Sequence, residues 1–173
     1  MSPTDLDTRL LMLARTRGHT PARERAVAAF SRTGEHAAGW LALGLTGAAA
    51  EAKRPERRAT WLYGTGVVAA SYALNTGIKF VVRRPRPNLP GLEPLTSTVT
   101  GLSFPSAHAT TSFAAARIYG SLVPAAPLYA VAVLIALSRI YLGVHYPSDI
   151  LAGALFGTGL AAVAGAMEVR RCR

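Results

Sequence analysis

The stretch ATWLYGTGVVAASYALNTGI, residues 59–78, carries no charged side chain over 20 consecutive positions. A helix needs about 20 predominantly apolar residues to cross the hydrocarbon layer of a membrane. Arg58 precedes the stretch and Lys79 follows it, so charge marks both of its ends. The stretch therefore predicts a membrane-spanning helix and indicates a helical membrane protein.

Other apolar segments predict further helices on both sides of this one. The uncharged run 118–138 is interrupted by Pro124 and Pro127, and because proline breaks a helix interior we expect two helices there. Residues 150–167 are rich in Gly and Ala, which lets helices approach closely in lipid. We expect an all-α integral membrane bundle with five spans, at 26–50, 59–83, 106–123, 125–143 and 147–168.

Composition argues for a membrane protein and against a nucleic-acid partner. The chain has 173 residues, a net charge of +10 and 50% hydrophobic residues, with a mean hydropathy of +0.26. Its charges lie between apolar blocks, as in membrane proteins, and are not interleaved with polar and aromatic residues as in nucleic-acid binders. The lone cysteine, Cys172, allows no intrachain disulfide and no cysteine-based metal site. The partners we expect are the bilayer and a lipid-linked substrate.

We expect one domain over 1–173, opened by an amphipathic segment over 1–25. Its helix would be capped near Thr4 or Asp5, with Leu6 and Leu10 on an apolar stripe. The segment lacks the basic start and clean apolar core of a cleaved signal. The one long connection, 84–105, is rich in Pro, Ser and Thr, and connections of that length are usually functional or disordered.

Ionisable residues at the ends of apolar segments form three clusters. Ionisable residues in membrane segments are expensive to bury, so each cluster is a candidate for function. The first follows the second span: Lys79, Arg83 and Arg86 would share a face if the helix continued, although Pro85 and Pro87 favour its end. Taken alone, this cluster is equally consistent with a cationic flank at a membrane surface.

The second cluster surrounds His108 in the stretch SFPSAHATT, residues 103–111. Ser103 or Ser106 can cap a helix start there, which leaves backbone N–H groups free to bind an anion. Taken alone, a histidine near a helix start is more often a cap or an interface residue than a catalyst. A catalytic role is favoured because all three clusters lie at helix ends on the same face of the membrane.

The third cluster, SRIYLGVHYPSD at 138–149, contains Arg139, His145 and Asp149. Pro147 suits the first turn of a helix, which places Asp149 near the loop that carries His145. A carboxylate beside one imidazole nitrogen fixes the tautomer and leaves the other nitrogen free as a nucleophile or base. With the other two clusters at the same membrane face, the set suits transfer of a phosphoryl group without a metal.

These residues carry a family resemblance. KFVVRRPRP (79–87), PSAH (105–108) and SRIYLGVHYPSD (138–149) resemble, in order, the K-x6-R-P, P-S-G-H and S-R-x5-H-x3-D signatures of the type 2 phosphatidic acid phosphatase family. The resemblance implies that Lys79, Arg86 and Arg139 hold the phosphate, together with Ser106 and the adjacent backbone N–H. It also implies a lipid phosphatase that needs no metal or other cofactor.

The same resemblance implies a covalent mechanism. His145 would attack phosphorus to give a phosphohistidine, Asp149 would orient His145, and His108 would protonate the leaving oxygen. Ala107 stands where the signature has glycine, and its one extra methyl group predicts a modest change in the shape of the phosphate pocket.

A further stretch, GEHAAGWLA at 34–42, is similar to family members that act on a polyprenyl-phosphoryl ribose phosphate, a precursor of arabinan donors in the cell wall. Glu35 and His36 lie beside an apolar segment, and we expect them, with Arg83, at the substrate entrance. Alternatively, Glu35 and His36 are solvated at a helix end or paired with Arg32. Either way they lie on the membrane face that carries Lys79.

Other functions remain open at the level of sequence. The same motifs would serve a phosphatase for undecaprenyl diphosphate, phosphatidylglycerophosphate or phosphatidic acid. A soluble acid phosphatase or vanadium haloperoxidase shares the signatures but not the apolar span of 59–78. A non-catalytic scaffold for anionic lipid headgroups would use the arginines without needing His108, or His145 with Asp149.

The orientation of the protein in the plasma membrane does not follow from its charges, because the numbers of Lys and Arg residues on the two membrane faces are equal. A substrate made from a cytosolic sugar phosphate favours an active site on the cytoplasmic face.

Overall fold

The computed structural model describes residues 3–171 and is all-helical over that range. Cys172 lies outside the described residues. The helices are α1 (Pro3–Thr16), α2 (Pro21–Arg32), α3 (Ala38–Ala50), α4 (Pro55–Val82), α5 (Ala107–Tyr119), α6 (Ala125–Tyr141) and α7 (Pro147–Arg171). A short 3₁₀ turn, Glu35–Ala37, joins α2 to α3. The prediction of an all-α fold is confirmed.

Local sequence explains where the helices start and stop. Proline occupies the first position of α2, α4 and α7, where its missing N–H costs nothing. The Ser106 hydroxyl accepts the Ala109 N–H and caps α5, as one of the two sequence alternatives predicted. Helix α4 ends at Val82 because Arg83 adopts the left-handed conformation, with φ 55°, just before Pro85. The run 118–138 is divided between α5 and α6, as predicted from its prolines.

One expectation about helix bounds is wrong. The continuous helix expected over 26–50 is interrupted at 33–37, where His36 and Ala37 have φ of 50° and 60°. This backbone is left-handed, so the chain turns there instead of extending one helix. Helix α1 covers Pro3–Thr16, so its first described residue lies near the expected cap at Thr4 or Asp5.

Helix α5 lies at the centre and packs against α4, α6 and α7. Small residues permit the close packing of α5 on α7: a Cβ atom at Gly157 would collide with the carbonyl oxygen of Thr110. The core beside α5 contains Trp40, Trp61 and Tyr119, and Tyr119 donates a hydrogen bond to the Trp40 carbonyl. Asn75 of α4 donates to the Thr110 hydroxyl at 2.9 Å, and the Ser106 N–H donates to the Asp149 carbonyl of α7, so the start of α5 is fixed against both helices.

Helices α4 and α7 are long and apolar enough to cross a membrane, and α6 is a shorter apolar helix. Only 22% of the most apolar window of α4 and of α7 is buried inside the protein, unlike the core helix of a soluble domain. These two helices indicate association with a membrane. Large apolar side chains exposed on α4, α6 and α7 are Leu62, Leu74, Phe80, Val81, Val82, Val131, Val133, Leu134, Leu137, Leu151, Leu155, Val163 and Met167.

Candidate active site

One cavity of about 280 Å³ brings the three sequence clusters together. It lies where α4 and α6 end and α5 begins, and the loop before α7 closes it. From these clusters, three cations and two histidines contribute to its wall: Lys79, Arg86, Arg139, His108 and His145. Fixed positive charge of this density suits an anionic group that carries several oxygens.

His145 lies in the loop between α6 and α7 and is 2% exposed. Its Nε2 atom is 3.2 Å from Nη1 of Arg86. Because a guanidinium only donates, Nε2 accepts and the ring proton resides on Nδ1. Burial, and then the charges of Arg86, Lys79 and Arg139, lower the pKa of His145 well below the usual histidine value. The ring is therefore neutral, with an unprotonated Nε2 at the cavity.

Asp149 lies in the first turn of α7 and is completely buried. Its Oδ2 accepts the Tyr146 N–H at 2.9 Å and is 3.4 Å from Nδ1 of His145. The Nδ1 proton makes no hydrogen bond in this geometry, and contacts of catalytic histidines often tighten only when substrate binds. Asp149 is the carboxylate nearest to that proton.

Lys79 and Arg86 are fixed by carbonyl oxygens of the loop that links α4 to α5. Lys79 Nζ donates to the carbonyls of Leu102 and Ser103 at 3.2 and 3.0 Å. Arg86 donates from Nε to Thr100 O and from Nη1 to Val144 O, both at 2.7 Å. Burial lowers the pKa of Arg86 to about 10, so it remains charged at neutral pH. Both cations are held before any anion arrives.

Arg139 is held from the opposite side by α2. Its Nη1 donates to the Ser31 hydroxyl at 2.8 Å, while its buried Nε has no partner within the protein. His108 also lines the cavity, and its buried Nε2 is likewise without a partner. Both unpaired nitrogens belong to residues of the cavity wall, where an anionic substrate would supply acceptors.

The start of α5 contributes Ala107 and His108 to the cavity wall. N–H groups of a first helical turn have no partner within their own helix and attract anions. Ser106 is fully buried; its N–H donates to the Asp149 carbonyl at 3.0 Å and it does not line the cavity. The structure therefore places Ser106 as the cap that presents the neighbouring turn.

The predicted entrance residues divide into two groups. Glu35 and His36 line the cavity, and Nδ1 of His36 lies 2.7 Å from the Tyr72 hydroxyl. Arg83 is exposed at the end of α4 and does not line the cavity. Among the salt bridges of the described residues, none joins Arg32 to Glu35 or to His36.

Four residues near the site carried no signal that the sequence analysis used. Tyr72 reaches the cavity about two helical turns before Lys79, a spacing that a helical projection of α4 would have shown. Ser31 contacts Arg139 from far away in sequence. Asp7 and Arg84 form ion pairs behind Asp149. Residues that are far apart in the chain leave no local sequence pattern from which such contacts could be predicted.

Within residues 3–171, no group of three His, Cys, Asp or Glu side chains is placed to hold a metal ion. The candidate site is instead a cluster of histidines and fixed cations. The fold and the site together define an all-helical, membrane-associated protein with a buried cationic cavity.

The chain belongs to the PAP2 superfamily, whose sequence profile matches residues 59–171. The resemblance to the type 2 phosphatidic acid phosphatases is thereby confirmed. A decaprenylphosphoryl-5-phosphoribose phosphatase of Mycobacterium tuberculosis is 45% identical over 134 residues, 77% of this chain and 73% of that protein. The protein of the same name from Mycolicibacterium smegmatis is 46% identical over 128 residues, 72% of this chain and 68% of that protein.

Solved structures share the fold at low sequence identity. A transmembrane PAP2 type phosphatidylglycerolphosphate phosphatase from Bacillus subtilis has a TM-score of 0.78 at 24% identity and covers 96% of this chain and 86% of its own. Aquifex aeolicus LpxE has a TM-score of 0.75 at 24% identity, covering 92% and 94%. A bacterial vanadium-dependent iodoperoxidase has a TM-score of 0.78 at 15% identity, covering 95% and 49%.

Proposed function

We propose that the protein is a membrane phosphatase that removes the 5-phosphate from a polyprenyl-phosphoryl ribose, in the synthesis of arabinan precursors. One observation carries the proposal: the unprotonated Nε2 of His145 faces the same cavity as His108 and three fixed cations. A scaffold for anionic headgroups would need the cations but neither histidine. The names of the two mycobacterial relatives support the choice of substrate.

The first chemical step transfers the phosphoryl group to His145. The lone pair on Nε2 attacks phosphorus, a P–N bond forms, and the P–O bond to the ribose oxygen breaks. Protonated His108 donates its proton to that leaving oxygen, so the sugar departs as an alcohol. Lys79, Arg86 and Arg139 offset the charge on the remaining phosphoryl oxygens.

The second step returns the enzyme to its starting state. Neutral His108 takes a proton from water, the water oxygen attacks phosphorus, and the P–N bond breaks to release inorganic phosphate. During both steps Asp149 accepts the Nδ1 proton as a hydrogen bond and stabilises the positive charge that develops on the His145 ring. The cycle uses only side chains of this protein and water.

Polar side chains at the outer part of the cavity suit a sugar. His36, Tyr72, Thr76 and Thr98 provide donors and acceptors there, beside the carboxylate of Glu35. Phe80 and Val99 also line the cavity and are 58% and 71% exposed, which suits the first units of an apolar chain. A substrate with a ribose between a phosphate and a polyprenyl chain suits a cavity wall that combines cations, polar side chains and exposed apolar side chains.

We also propose that the site faces the cytoplasm of a multi-pass plasma-membrane protein. Helices α4 and α7 would span, with α5, α6 and the α2–α3 pair completing five passes. The polar break at 33–37 lines the cavity, and irregular backbone at membrane depth is tolerated where it borders such a cavity.

The test is an assay of phosphate release in the presence of EDTA. Polyprenyl-phosphoryl-5-phosphoribose, a polyprenyl diphosphate, phosphatidylglycerophosphate and phosphatidate are compared with wild type, Glu35→Gln and His36→Gln. We expect the ribose substrate to have the highest kcat/KM, and both variants to lose about tenfold on that substrate only, since a lost sugar contact cannot affect a substrate without the sugar.

Glu56→Gln is the matched control, because Glu56 is exposed in the first turn of α4, at the opposite end of that helix from Lys79. Equal losses on all four substrates would contradict a sugar-reading role for Glu35 and His36. A higher kcat/KM on another substrate would identify a different lipid phosphatase. Restoration of activity only by an added divalent metal would contradict the mechanism.

A further inference from the structure

Helix α1 contacts the back of the candidate active site through Asp7. Asp7 is 7% exposed. Its Oδ1 accepts the Ser148 N–H at 2.9 Å, at the start of α7, and its Oδ2 accepts from the Ser148 hydroxyl. Although burial opposes it, hydrogen bonds from Ser148 and Arg84 lower the pKa of Asp7, so this carboxyl is ionised at neutral pH.

Arg84 connects Asp7 to the catalytic carboxylate. Its Nη2 donates to Asp7 Oδ2 at 2.9 Å, and its Nη1 donates to Asp149 Oδ1 at 2.8 Å. The guanidinium also lies 4.2 Å from the centre of the Tyr146 ring. A planar guanidinium held by two carboxylates and a ring has little freedom to rotate.

This contact leaves the second oxygen of Asp149 for His145. Arg84 occupies Oδ1, so Oδ2 faces the Tyr146 N–H and Nδ1 of His145. Rotation of the carboxylate would break both the Arg84 and the Tyr146 contacts. The orientation that presents Oδ2 to the imidazole is therefore fixed from outside the catalytic cavity.

Asp7 and Arg84 do not line that cavity; with Ser148 and Leu151 they line a separate surface groove. They can act on the reaction only through the residues they hold. Asp7 also precedes the segment that the superfamily profile matches. Asp7 therefore lies outside the matched segment, whereas Arg84 lies inside it.

We propose that Asp7 and Arg84 are positioning residues that hold Asp149 against His145 and keep the proton of that ring on Nδ1. The proposal rests on the proposed function in that His145 is the nucleophile. Without Arg84, Asp149 is free to rotate and the tautomer with a protonated, non-nucleophilic Nε2 becomes populated. Without Asp7, Arg84 loses its anchor on the α1 side and holds Asp149 less well.

The test measures turnover and the His145 tautomer in the full-length protein in detergent. Turnover uses whichever of the four panel substrates wild type hydrolyses fastest. We expect Arg84→Gln to lower kcat by about 10- to 100-fold with KM within about threefold, as loss of a supporting hydrogen bond does elsewhere. Asp7→Asn should lower kcat by about tenfold or less. Arg84→Lys should retain more activity than Arg84→Gln.

The ¹⁵N chemical shifts of the His145 ring, assigned by their loss in His145→Gln, report the tautomer without substrate. Wild type should show a protonated Nδ1 and an unprotonated Nε2, and Arg84→Gln a mixture of both tautomers. This readout would survive failure of the proposed function, because it needs no turnover. Folding of each variant is checked by circular dichroism.

A double variant decides whether Asp7 acts through Arg84. The combination of Asp7→Asn with Arg84→Gln should lose no more kcat than Arg84→Gln alone, whereas independent roles give losses that multiply. Arg17→Gln, an equal loss of charge at an exposed position, is the control. Unchanged shifts in a folded Arg84→Gln protein, or losses that multiply, would overturn the proposal.

Discussion

At the scale of single residues, Gly34 shapes the wall behind His108. A Cβ atom at Gly34 would lie 2.9 Å from Cδ2 of His108 and 2.9 Å from Cγ2 of Ile135. Both distances are shorter than an ordinary van der Waals contact, so a side chain there must displace one of these neighbours. Gly34 has φ −88°, a conformation open to any residue, and space rather than backbone freedom is the reason for glycine.

Gly34→Ala should therefore misplace His108. A proton donor displaced by a few tenths of an ångström or more transfers its proton less well, and we expect kcat to fall by about 10- to 100-fold. The measurement is kcat on the preferred substrate. Gly66→Ala is the control, because a Cβ there would meet nothing within 4 Å beyond its chain neighbours and the adjacent backbone of its own helix. Equal kcat values for both variants would show that Gly34 does not shape the site.

Motif spacing predicted which polar residues lie at helix ends, and the structure brings Lys79, Arg86, Arg139, His108 and His145 to one cavity. Their catalytic roles stay predictions. Asp7 had no such signal, because it meets Arg84 across 77 residues of chain. A pairing of that kind depends on how α1 docks, which no local spacing encodes.

At the scale of helices, apolar run length and proline predicted most boundaries but not the break between α2 and α3. Pro124 predicted the separation of α5 from α6, since proline acts locally. The break at 33–37 contains no proline and its one local signal is Gly34; the chain turns there through left-handed backbone at His36 and Ala37. These non-glycine residues are held by tertiary contacts, including the one between His36 and Tyr72.

The α5–α7 contact gives a prediction at this scale. Gly157→Ala should destabilise the protein by about 1 to 3 kcal/mol, because the methyl group would collide with the Thr110 carbonyl oxygen and force the two helices apart. Gly159→Ala, two residues along α7, places its methyl group in open space and should leave stability unchanged or slightly higher. Thermal unfolding in one detergent compares them. Equal midpoints would contradict the close packing of α5 on α7.

At the scale of the whole molecule, the protein has an apolar exterior around a polar site. Exposed leucine, valine and phenylalanine side chains lie on α4, α6 and α7, while the cations Lys79, Arg86 and Arg139 line the cavity. Among the described residues, buried side-chain atoms without a hydrogen-bond partner include Nε2 of His108, Nε of Arg139 and Nδ1 of His145 on residues of the cavity wall, and also atoms of Arg15 and Asn75 outside it. This distribution suits a substrate whose phosphate enters the cavity while its chain stays in lipid.

The central claim is that His145 carries the phosphoryl group. Wild type and His145→Ala are mixed with substrate that carries ³²P in the phosphate that the enzyme removes. The reactions are quenched within milliseconds in alkaline detergent, and the protein is digested. We expect acid-labile, base-stable label on the peptide that contains His145, and neither label nor turnover in His145→Ala. Near-normal turnover by His145→Ala, or label on a different residue, would contradict the account.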